Sequence, residues 1–150
     1  MKKMKLIFEK GGELIVHFND FTPNTVKCIQ EILPCENYLM HSRYCGREVC
    51  FGVITGSLLA KENNVSKVEK FDVGYWRDWD HSEKREMQGS PGAEAISFYY
   101  GAEHLRFQDR HISVNVFGRI DESQESLLVE IGTRIWQQGF ENVKAELIEL

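Results

Sequence analysis

At 150 residues, with 42% hydrophobic and 27% charged side chains, the chain is long enough for one domain with a real core, and nine Phe, five Tyr and three Trp argue against disorder. A formal charge of -5, with 23 acids against 18 bases, leaves no basic stripe for tracking phosphates, and the densest run, Lys84-Arg85, is flanked by Glu83 and Glu86. Nucleic acid is therefore not an expected partner. The basic start, Met1 to Lys5, is followed only by Leu6-Ile7-Phe8 before Glu9, too short for a signal or a span, so a cytoplasmic location and no membrane partner are expected.

Lys5-Leu6-Ile7-Phe8, Gly11-Gly12 and Glu13 to Phe18 read as a β-hairpin with a glycine turn. Thr22-Pro23 predicts the start of a helix, with threonine as N-cap and proline in the first turn. Val26, Ile29, Ile32 and Leu33 form its apolar stripe, and Pro34 ends it.

Asn37 to Ser42 and Glu48 to Val53 predict a second hairpin. A two-residue turn at Cys45-Gly46 would set Arg43 opposite Glu48 and His41 opposite Cys50, and so place His41, Arg43 and Glu48 on one sheet face. Gly56 to Lys70 is polar and irregular, Asp72 to Arg77 is a short strand, and Asp78 to Gly92 reads as a long exposed loop. Ala95 to Tyr100 and His111 to Ile120 are further strands. Asp121 and Gln124 open a second helix with Leu127, Leu128, Ile131, Ile135 and Trp136 on its apolar face, and Gly139 closes it. Val143 to Leu150 is the last strand. So many strands in hairpin order exclude a parallel α/β sheet and favour a mainly β protein, a barrel or a strongly curled antiparallel sheet with two helices at its ends.

The four cysteines, Cys28, Cys35, Cys45 and Cys50, lack zinc-type spacing and read as small hydrophobes. No nucleophile elbow, phosphate loop or His-Glu-x-x-His motif is present, so neither metal nor cofactor is expected, and no residue is assigned a catalytic role. Arg43 suits a carboxylate, because its guanidinium fork matches two oxygens. His41 and Glu48 would complete a polar face. Glu62 and Asn63 sit in a loop that could fold over it, and Tyr99, Tyr100 and Arg106 could wall it. Phe8, Phe18, Phe98, Phe117 and Trp136 read as core by period, and Trp76 and Trp79 as exposed rings that could support a homo-oligomer.

Several segments carry a family resemblance: Phe21-Thr22-Pro23-Asn24-Thr25-Val26-Lys27, His41 to Val49, Glu62-Asn63, Asp72-Val73-Gly74-Tyr75-Trp76, Phe98-Tyr99-Tyr100-Gly101, Asp109-Arg110-His111 and Val114 to Ile120. Together, in this order, they resemble small prokaryotic proteins of cyclophilin-like fold without assigned function, and more distantly the cyclophilin prolyl isomerases. The resemblance implies a closed eight-stranded barrel with a helix at each end, spanning residues 1–150 as one domain. It also implies an isomerase site on an outer barrel face, built on an arginine. Cyclophilins carry Phe-His-Arg followed by Gln-Gly-Gly there. This chain has Met40-His41-Ser42-Arg43 and no Gln-Gly-Gly. The expected function is therefore binding of a small anionic or peptide-like ligand at His41, Arg43 and Glu48, with Glu62, Asn63, Tyr100 and Arg106 around them. The alternatives are a prolyl isomerase and a non-catalytic interaction module.

Overall fold

The computed structural model describes residues 1–79, 94–107 and 110–150. The eight strands expected from sequence form one closed antiparallel barrel: β1 (Lys2–Phe8), β2 (Glu13–Phe18), β3 (Cys35–His41), β4 (Glu48–Gly52), β5 (Asp72–Arg77), β6 (Glu94–Tyr99), β7 (Val114–Ile120) and β8 (Glu141–Glu149). Around the barrel they run β2-β1-β8-β3-β4-β6-β5-β7 and back to β2. Two helices, α1 (Pro23–Ile32) and α2 (Glu125–Gln138), cap it. Most of the long loop predicted between Asp78 and Gly92, including Lys84-Arg85, lies outside the described residues.

Period-two alternation builds the barrel wall. Met4, Leu6 and Phe8 from β1, Val49 and Phe51 from β4, Val73 and Tyr75 from β5, and Ile96 and Phe98 from β6 all point inward and are buried. Ile29 of α1 and Leu128, Ile131 and Ile135 of α2 join the same core. Closure depends on Gly118. It lies opposite Phe18 across the β7–β2 seam, and a Cβ there would come within 2.8 Å of the His17 carbonyl oxygen. Any larger residue would push the seam apart.

A second, smaller apolar cluster lies outside the wall. Tyr99, Val114 and Val116 project outward from β6 and β7, and Cys45, Val68 and Leu105 pack on them, with Trp76 and Ile112 at the margin. This cluster anchors the loops after β3 and after β6 to the outer face of the barrel.

Several expectations change in detail. Trp136 is not core: it is 66% exposed and lies against His41. The buried face of α2 is made by Leu128, Ile131, Gly132 and Ile135. Trp76 and Trp79 are partly buried rather than open. Thr22 sits at the N-cap of α1 but makes no side-chain cap bond, and its hydroxyl donates to Asn19 instead (2.7 Å). Gln124 does not complete a capping box. Its side chain reaches β2, accepting from the Ile15 N–H (2.8 Å) and donating to the Glu13 carbonyl (2.9 Å). No helix among the described residues is long and apolar enough to cross a membrane.

Candidate functional site

Four outward positions of β4 and β6 are small. Cys50 and Gly52 on β4 lie opposite Ser97 and Ala95 on β6, and these four floor a cavity of about 340 Å³ on the outer barrel face. Met40 and Phe140 wall one side, and Trp76, Ile112 and Val114 another. The loop 42–47 closes one end. The floor is concave because side chains that would fill it are absent, while large residues stand around its edge.

The loop is fastened at three points. The Ser42 hydroxyl oxygen accepts the N–H groups of Tyr44 (3.2 Å) and Cys45 (3.0 Å), a local turn bond that competes with continued strand pairing. Cys45 Sγ–H donates to the Arg106 carbonyl (3.0 Å) and its sulfur accepts the Arg106 N–H (3.3 Å), tying the loop to the opposite wall. Arg47 reaches Glu103 through both its backbone N–H and its Nε, at 3.0 and 2.8 Å.

Glu48 is the charged group of the floor. It lies directly across from Tyr99 and is only 9% exposed. The Tyr99 and Ser42 hydroxyls hydrogen-bond to its carboxylate, and Ser97 Oγ lies 2.8 Å from the Tyr99 hydroxyl, so a chain Ser97 to Tyr99 to Glu48 orients the donors. Burial pushes the Glu48 carboxyl up to about 7, the two hydroxyl bonds pull against that, and the negative charge of Glu103 adds to it. The same burial, and then the Glu48 charge, raise Cys50 to about 12 and Cys45 to about 11, so both remain thiols. Among the described residues, no ion pair includes Glu48, Arg43 or Arg106. Both arginines are exposed and line the cavity.

Residues 13–146 match the family described as "Protein of unknown function (DUF3830)". The chain belongs to the DUF3830 family. No curated protein matches it. Among solved structures, this DUF3830 member is similar to the hypothetical protein AF2241 from Archaeoglobus fulgidus, at 23% identity and a TM-score of 0.59, over 96% of this chain and 92% of that one. It is also similar to McbB, solved in complex with tryptophan, at 11% identity and a TM-score of 0.64. That match covers 95% of this chain, which spans 44% of the McbB chain. Both likenesses concern the fold. The family and the closed barrel agree with the resemblance read from sequence.

The hairpin register departs from the expected one by a single residue. Met40 pairs with Cys50 and His41 with Val49, and the Ser42 N–H donates to the Glu48 carbonyl (2.9 Å). A one-residue slip exchanges faces. Glu48 therefore shares the outer face with Met40, Ser42 and Cys50, whereas His41 is level with buried Val49. The expected common His41, Arg43 and Glu48 face does not form, nor does an Arg43–Glu48 pair. The register follows the core, because Leu39, Val49 and Phe51 must all point inward.

His41 still contributes to the cavity wall, but its ring is engaged behind it. Nδ1–H donates to the Ser42 carbonyl (2.8 Å), and Nε2 accepts from the Tyr100 hydroxyl (2.6 Å), which settles the tautomer. Tyr100 lies under α2 rather than in the cavity. Its ring occupies the space that a Cβ on Gly132 would need. Arg43, Glu48 and Arg106 all line the cavity.

Glu62 and Asn63 lie elsewhere. The Glu62 carboxylate accepts the N–H groups of Asn24 (3.3 Å) and Thr25 (2.9 Å) and the Thr25 hydroxyl (2.9 Å) at the start of α1. Its partial burial opposes ionisation, but the bonds from Thr25 and Asn24 outweigh that and lower its pKa. Free N–H groups at a helix start attract a carboxylate, and Glu62 takes the place Thr22 leaves vacant. Asn63 donates to the Val116 carbonyl (2.9 Å) and lines a separate groove with Phe18 and Arg119. Sequence reasoning missed Ser42, Trp76, Ile112 and Phe140. The signal for the floor was available: outward positions of β4 and β6 carry Cys, Gly, Ala and Ser while inward ones carry Val, Phe and Ile.

Proposed function

We propose that this protein binds a small anionic ligand with an apolar body in the outer-face cavity. The observation that carries the reading is two arginines, Arg43 and Arg106, without ion-pair partners among the described residues, beside an apolar cavity of about 340 Å³. Most pockets for small molecules are apolar with a few convergent polar groups, and this one has that character. An arginine fork at the edge would hold a carboxylate, while Trp76, Ile112 and Met40 would cover the ligand's body. That McbB, which shares the fold, was solved with tryptophan suggests indole compounds as probes.

Calorimetric titration with indole-3-propionate tests the reading. Binding is expected, weakened about tenfold by Arg43→Ala or Arg106→Ala, as for loss of a charge-assisted hydrogen bond worth about 1.5 kcal/mol. No heat at millimolar ligand, or unchanged affinity in both variants, would overturn it. The outer-face position with Arg43 at its edge also favours a second reading, prolyl isomerisation. A protease-coupled proline peptide assay decides between them. Enzyme-like isomerisation lost in Arg43→Ala would replace binding with catalysis.

A further inference from the structure

Glu48 is an anomaly in a site read as anion-binding. A carboxylate buried on the cavity floor faces the same space as two arginines, yet pairs with neither. Its donors are the neutral hydroxyls of Tyr99 and Ser42, and the one further charge acting on it among the described residues, Glu103, is repulsive. Taking a carboxylate out of water costs several kcal/mol unless a cation compensates it. The chain supplies such compensation elsewhere. Glu141, 2% exposed, is met by the Arg134 Nε and its second guanidinium nitrogen at 2.8 and 2.9 Å. At Glu48 no cation among the described residues takes the corresponding position, and the residue lines the cavity.

We infer that Glu48 is the receptor for an ammonium group of the ligand, so that the cavity selects zwitterions of the amino-acid type with a large apolar side chain over simple carboxylates. This rests on the cavity being the ligand site, as proposed above. In such a complex the ammonium group would donate to the Glu48 carboxylate, whose Tyr99 and Ser42 bonds already fix its orientation. The carboxylate would face Arg43 or Arg106. The side chain would lie over the small floor residues Cys50, Gly52, Ala95 and Ser97. Opposite charges at two places on one small ligand also explain why Glu48 and the arginines remain separate. Each would lose its role if they neutralised one another.

Three indole compounds separate the contributions: indole-3-propionate carries only the acid, tryptamine only the amine, and tryptophan both. Calorimetry is expected to show tryptophan binding at least tenfold tighter than indole-3-propionate, and tryptamine binding measurably. Glu48→Gln, close in shape, is expected to weaken tryptophan and tryptamine at least tenfold and to leave indole-3-propionate unchanged or tighter. Tryptophan no tighter than indole-3-propionate in the unaltered protein would overturn the inference while leaving the anion reading intact. Tryptamine binding that depends on Glu48, with indole-3-propionate indifferent to both arginines, would support the inference and remove the anion reading. Absence of binding by all three compounds would remove both.

Discussion

Two buried polar groups in this barrel, Asn115 and Glu48, are handled in opposite ways. Asn115 is fully buried and uses its whole hydrogen-bonding capacity within the chain. Its Oδ1 accepts from the Glu62 N–H (2.9 Å) and Asn64 Nδ2 (3.0 Å), and its Nδ2 donates to the Ala60 carbonyl (3.0 Å) and Thr25 Oγ1 (3.2 Å). Glu48 is almost as buried, but no cation among the described residues meets its carboxyl group, and it lines the cavity. The first arrangement knits the 60–64 segment and α1 to β7 and needs nothing more. The second, on the reading proposed above, would be completed by a ligand. Burial alone does not distinguish structure from function; the presence or absence of internal partners does.

The comparison breaks first at Asn115. Asn115→Ala would strand several polar groups at once, and a loss of about 4 kcal/mol is expected in urea unfolding, with indole-3-propionate affinity unchanged where the protein remains folded. A loss below 1 kcal/mol would mean the network is not structural.

Next comes Glu48→Gln. Burial lets the folded carboxyl keep its proton up to about pH 7, above the ordinary value of 4.5. Below pH 4.5 both folded and unfolded chains are protonated and no penalty exists. Between the two values the unfolded chain ionises first, so stability falls as pH rises, by about 3 kcal/mol in all, and is level above 7. The variant lacks this penalty. It should match the parent near pH 4 and exceed it above pH 7. Of the groups that act on Glu48, Tyr99, Cys45 and Cys50 do not ionise in that window, because burial raises all three, and Glu103 acts as a nearby negative charge. Parallel pH profiles of melting temperature would show that Glu48 is not buried as a charge.

A smaller effect is expected at Gly132. Alanine there overlaps the Tyr100 ring, and overpacking of that kind costs about 1–3 kcal/mol, offset by the roughly 1 kcal/mol that alanine gains over glycine in a helix. A net loss near 1 kcal/mol is predicted, together with a changed His41 ring environment by NMR. Unaltered His41 shifts would mean Tyr100 yields freely.

The smallest stability change belongs to Arg47→Ala. Its side chain is 56% exposed, so loss of the Glu103 pair should cost at most about 0.5 kcal/mol. Indole-3-propionate affinity should nevertheless fall, because the loop that ends the cavity loses one of its fasteners. Equal affinity would show that Cys45 and Ser42 hold the loop without it.

How far the site could be read from sequence varied with the kind of residue. Arg43, Glu48 and Arg106 were identifiable because charged side chains near strand ends have few places to go. Glu62 and Asn63 were assigned to the wrong neighbourhood. Their partners, Thr25 and Val116, are remote in the chain, and nothing local says that a helix start will take its cap from another loop. His41 was set on the Glu48 face because the turn length was taken from Cys45-Gly46 alone. The Ser42 turn bonds lengthen that loop, and the inward demand of Leu39, Val49 and Phe51 then decides the pairing.

Alternation of apolar residues and turn chemistry, both encoded within a few neighbouring positions, were enough to establish eight antiparallel strands and two helices, while closure of the barrel was implied only by the family resemblance. They act over short chain distances, where covalent geometry leaves few choices. The cavity needed the folded chain. Whether Glu48 has a counter-ion, which rings stand around Cys50 and Ser97, and which carboxylate caps α1 depend on segments tens of residues apart. Those segments meet only after the barrel has closed.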